Sequence, residues 1–106
     1  MTEIIVTTGT DIPGKKIKKI LGIVRGNTVR ARNIGRDIAA SLKMLVGGEV
    51  KTFTELITQS RDEAYNRMVN NAIAMGADGV LAMRFGTSTM AQASEILCYG
   101  TAVKFE

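Results

Sequence analysis

The hydrophobic pattern predicts an α+β domain with the order strand, strand, helix, helix, strand, strand. Three observations predict it. β-Branched or alternating apolar residues fill both ends of the chain, apolar residues recur every three to four positions in the middle, and glycine or turn residues mark the changes of period. With 106 residues, 45% hydrophobic and 23% charged, the chain has material for one core, so a single domain over 1–106 is expected.

Ile4, Ile5, Val6, Thr7 and Thr8 predict a short first strand, and the Asp, Pro and glycines of 9–14 predict a turn. A second strand is expected over 16–30, with Ile17, Leu21 and Ile23 on one face and Ile20 and Val24 on the other. Apolar residues on both faces call for a second layer, from the domain's own helices or from another chain. Ile34, Ile38, Leu42 and Leu45 then line one side of a first helix over 34–46, capped by Asn33 and stopped by Gly47 and Gly48. Thr52 and Glu55 form a capping box that opens a second helix. Leu56, Ser60, Ala64, Met68, Ala72 and Met75 form its apolar face, and Gly76 stops it. A strand over 79–85, a small polar loop over 87–93 and a long strand over 95–105 complete the order, the last two strands forming a hairpin. In the final strand Leu97, Tyr99, Val103 and Phe105 share one side, and Ile96, Cys98, Gly100 and Ala102 the other.

Composition excludes much chemistry. The chain has no histidine, which removes the usual general base and the commonest metal ligand, and one cysteine, which cannot form an intramolecular disulfide. No apolar run approaches the roughly 18 residues needed to cross a bilayer, and the start lacks a signal-peptide pattern. A cytoplasmic protein without a membrane partner is expected. Positions 12–36 hold eight basic residues and no acid, while the rest of the chain holds six basic and ten acidic residues. That asymmetry suits an anionic partner or a solvated positive edge. No aromatic residue interrupts the basic run, so sequence-specific nucleic-acid binding is not expected. Phosphate-loop motifs are absent, and the methionines are scattered rather than clustered as in copper-handling segments. Cys98 lies mid-strand, where a buried inert thiol is the usual occupant.

Several ordered blocks carry a resemblance. Gly22-Ile23-Val24-Arg25-Gly26, Ala31-Arg32-Asn33-Ile34-Gly35-Arg36-Asp37-Ile38, Val46-Gly47-Gly48-Glu49, Arg61-Asp62-Glu63-Ala64, Gly76-Ala77-Asp78-Gly79-Val80 and Tyr99-Gly100-Thr101-Ala102-Val103 resemble the YbjQ-like family of bacteria and archaea. The resemblance implies a dodecin-like subunit, an antiparallel sheet packed on helices, assembled as a homopentameric ring. It brings no established activity. It does bring a heavy-metal-binding label, and hence a heavy-metal ion as the cofactor to test.

Three functions follow as expectations. The first is a non-enzymatic homo-oligomer, a pentamer, that binds a small ligand or serves structurally. In it Arg32, Arg36, Asp37 and Glu49 form intersubunit pairs or hold an anionic small molecule near the first helix's N-terminus. The second is soft-metal binding by Cys98 from several subunits around an axis. The third is an enzyme for an anionic small molecule, assembled between chains from Arg36, Asp37 and Glu49.

Overall fold

A computed structural model describes residues 3–31, 51–89 and 93–106. Its elements are β1 (Ile5–Val6), β2 (Ile17–Ala31), α1 (Lys51–Ala74), β3 (Gly79–Thr89) and β4 (Ala93–Phe105). The α+β class is the one the sequence predicts. The helix expected over 34–46 lies outside the described residues, and α1 is the second predicted helix.

The strands form one sheet in the order β1-β3-β4-β2. It is mixed, not antiparallel throughout. β4 pairs antiparallel with both long strands, but β1 runs parallel to β3, with Ile5 opposite Gly79 and Val6 opposite Val80. Parallel neighbours need a long connection, and everything from β2 to α1 lies between these two strands in sequence.

α1 packs across β2 and β4. Its buried face is Ser60, Ala64, Met68 and Ala72, four residues apart, as the periodicity predicts. Opposite it stand Val24, Gly26, Val80, Cys98, Gly100 and Ala102, all buried. Small side chains on both sides let helix and sheet backbones approach closely, and a Cβ added to Gly26 would run into the backbone of Ala64, Arg67 and Met68. Thr28 donates its hydroxyl to Ser60 O at 3.3 Å inside this layer. Met75, expected on the apolar face, lies past the helix end and is 39% exposed. Gly76 follows at φ 82, the left-handed residue the stop signal requires. Asp78 then closes the corner by accepting from Phe105 N at 3.0 Å, so the block 76–80 is accounted for by folding.

Three register shifts upset the predicted faces. Extra residues between Ile17 and Lys19 and between Ile20 and Gly22 in β2, and between Leu81 and Arg84 in β3, break the alternation. Ile17, Ile20 and Ile23 therefore sit opposite Phe105, Val103 and Thr101 and share the face turned away from α1. β2 is thus not covered on both faces: Val24 is buried, whereas Ile20 is 66% and Ile23 77% exposed. In β3, Met83 turns to the core cluster while Leu81 stays outside it. The expected loop at 87–93 is also corrected. β3 continues to Thr89 and β4 begins at Ala93, with Thr87 opposite Ile96 and Thr89 opposite Ser94. Thr87 and Thr89 are polar but β-branched, which favours a strand, and no glycine or proline stands between Thr87 and Thr89 to force a turn.

The β3 bulge holds Ala82 at φ 55, a left-handed conformation, where Ala82 N donates to Gly9 O at 2.8 Å. An Ala side chain there costs about 1 kcal/mol relative to glycine. Ala82→Gly is expected to raise the urea midpoint by the equivalent of about 0.5 to 1 kcal/mol; a midpoint lowered by a similar amount would show that the bulge tolerates its side chain without strain.

Candidate functional site

Among the described residues β2 is an edge strand, so every second residue presents its backbone groups outward without a neighbouring strand. α1 supplies partners for two of them. Arg67 Nη1 donates to Asn27 O at 2.6 Å, and Asn71 Nδ2 donates to Arg25 O at 2.7 Å. The match is geometric: residues 67 and 71 are one helical turn apart, and carbonyls 25 and 27 are one strand repeat apart.

Beside these bonds lies an open cleft of about 680 Å³, lined by Arg25, Gly26, Asn27, Arg67, Asn70, Asn71, Glu95 and Leu97. Its groups are unevenly committed. Glu95 accepts from Asn27 Nδ2 at 2.8 Å and from Ser88 Oγ at 3.3 Å. Arg67, besides its carbonyl, lies 3.8 Å from Glu63 Oε1. The Arg25 guanidinium and the Asn70 amide have no such partner among the described residues. Among the described residues the cleft therefore offers more unused donors than acceptors, and its lining residues include Arg25, whose guanidinium has no partner there.

The second place of chemical interest is the core. Cys98 is fully buried, with Sγ 3.5 Å from Met68 Sδ. Burial pushes the thiol above its ordinary pKa, because a thiolate would lose its hydration there. Nucleophilic or metal-binding cysteines need the opposite shift and some access.

Arg32, Arg36, Asp37 and Glu49 lie outside the described residues. Cys98 faces α1 inside its own chain. Among the described residues no three His, Cys, Asp or Glu side chains gather as metal ligands. The sequence reading did not single out Arg67, Asn70, Asn71 or Glu95. A signal for them exists: adjacent asparagines in a helix interior are poor helix formers unless their amides are used.

The comparisons agree on kinship. Residues 4–106 match the family model YbjQ_1, described as "Putative heavy-metal-binding". A UPF0145 protein of Methanoculleus marisnigri is 56% identical over 101 residues, covering 94% of each chain. Another, of Archaeoglobus fulgidus, is 52% identical over 103 residues, covering 96% of this chain and 95% of that one. Among solved structures, a protein of unknown function from the DUF74 family of Pediococcus pentosaceus superposes with a TM-score of 0.63 at 17% identity, covering 97% of this chain and 98% of the other. That likeness shows a shared fold. The heavy-metal description does not fit the residues described: the chain's one thiol is buried and protonated, its neighbour Met68 is a single thioether, and histidine is absent from the sequence.

Proposed function

The chain belongs to the YbjQ family, with UPF0145 proteins among its relatives, and we propose from its geometry that it is a non-catalytic subunit of a homo-oligomer that holds a small ligand. One observation carries the reading. On the sheet face turned away from α1, Ile20, Ile23 and Val29 of β2 are 66%, 77% and 58% exposed, and Tyr99 of β4 stands on the same face. Large aliphatic residues concentrated on one face of a small domain favour association, since each removes roughly 1.5 to 3 kcal/mol of unfavourable hydration when covered. A second copy is an occupant every solution of the protein contains, and five copies are the number the family resemblance implies.

Light scattering is expected to give an oligomer at micromolar concentration, and Ile23→Lys is expected to shift it toward monomer with β-rich circular dichroism retained. Wild-type protein that is monomeric under the same conditions overturns the reading.

A further inference from the structure

The cleft beside β2 has a donor pattern that restricts what it can hold. Arg25 brings a guanidinium with five N–H donors and no acid or carbonyl engaging it among the described residues. Arg67 adds a second positive charge on the same cleft, held in place by Asn27 O. A guanidinium recognises an oxyanion through paired N–H groups, and two guanidiniums on one cleft suit a dianion better than a monoanion. The remaining lining is three asparagine side chains and Glu95, which offer amide donors, amide oxygens and carboxylate lone pairs. Those groups match hydroxyls. Among the described residues no aromatic side chain lines the cleft to stack on a nucleobase, and Leu97 is the one large apolar residue. At about 680 Å³ the cleft has the size of a metabolite site rather than a single-ion site.

We infer that the cleft lined by Arg25, Asn27, Arg67, Asn70, Asn71 and Glu95 is a binding site for a phosphorylated sugar or polyol, its phosphate on the two arginines and its hydroxyls on the amides and Glu95. This rests on the small-ligand part of the proposed function and not on the number of copies; Arg25 and Asn27 alternate along β2 with Gly26 and share the outer face with Ile23 and Val29, so the cleft borders the proposed contact between copies. It also places the anionic ligand on β2 and α1, whose arginines Arg25 and Arg67 lie 42 positions apart in the sequence.

The test is isothermal titration of the full-length protein with D-glucose 6-phosphate, D-glucose, inorganic phosphate and AMP at physiological salt. The expected result is saturable binding of the sugar phosphate, weaker binding of inorganic phosphate by tenfold or more, and no preference for AMP. Arg25→Ala is expected to lower sugar-phosphate affinity at least tenfold. Asn70→Ala is expected to lower it about threefold. Neither side chain makes a hydrogen bond among the described residues, and light scattering on the same samples reports whether assembly survives. If Arg25→Ala disturbs assembly, Asn70→Ala decides. Lys16→Ala, at an exposed position beside Glu106, is the control for nonspecific attraction and should change nothing beyond a salt-dependent background. Inorganic phosphate binding as tightly as the sugar phosphate, AMP binding more tightly, or affinity untouched by both cleft variants would each overturn the inference. An intact oligomer that binds none of the four probes would overturn it while leaving the assembly reading in place.

Discussion

Gly26→Ala is expected to lower the unfolding free energy by about 3 kcal/mol, the upper part of the range for overpacked cores. A Cβ at this position would lie 2.6 Å from Ala64 O and 2.7 Å from Arg67 C, and would collide with Met68 N. All three are helix backbone atoms, so no rotamer change relieves the contact, and α1 must lift from β2 or shift along it. Because folded domains hold only about 5 to 15 kcal/mol, the loss takes a large fraction of the total. The same displacement would pull Arg67 and Asn71 from the carbonyls of Asn27 and Arg25, which couples the packing of the helix to the shape of the cleft. Gly86→Ala provides the comparison, since a Cβ there meets nothing within 4 Å and should leave stability within about 0.5 kcal/mol. Urea midpoints read both. Coincident midpoints for the two variants would mean that α1 is not seated on Gly26.

How far the sequence reaches is visible at particular residues. The run Ser60, Ala64, Met68, Ala72 was legible because a helix face depends only on local spacing, and all four are buried as that spacing requires. Cys98, Gly100 and Ala102 were legible for the same reason in a strand without a bulge. Ile20 and Ile23 were not, because one inserted residue reverses the side on which every later residue falls, and the cause of a bulge lies in its neighbours across the sheet. The direction of β1 was hidden too: a two-residue strand carries no sign of whether its partner runs parallel. The cleft was hidden most completely. Arg25 was visible as one charge in a basic run and Arg67 as one charge on a helix, but their common site exists only because β2 ends the sheet and α1 crosses it. Charge arithmetic put the positive excess on 12–36 and had no means of selecting which arginine lines a cleft.

Cys98 is expected to react with a thiol-specific disulfide reagent at least about a thousandfold more slowly in native buffer than in denaturant, because the thiolate forms and becomes accessible only when the sheet and helix separate. The residue is fully buried, its Sγ is packed at 3.5 Å against Met68 Sδ, and burial holds the thiol protonated above its ordinary pKa. The sign of the accompanying pH effect follows from that shift. An unfolded chain releases the thiol proton above roughly pH 8.5, whereas the folded chain keeps it, so the unfolded state binds fewer protons and stability falls as pH rises past that value. Cys98→Ala removes this contribution, and the decline between pH 8 and 10 should be shallower in the variant than in the wild type. A heavy-metal site at Cys98 requires the reverse of both results: a thiol that ionises near neutral pH and reacts without unfolding. Stoichiometric labelling of the native protein within minutes at pH 7.5, or near-stoichiometric zinc or copper(I) retained through dialysis by wild type and lost by Cys98→Ala with its circular dichroism unchanged, would return the metal description to this chain.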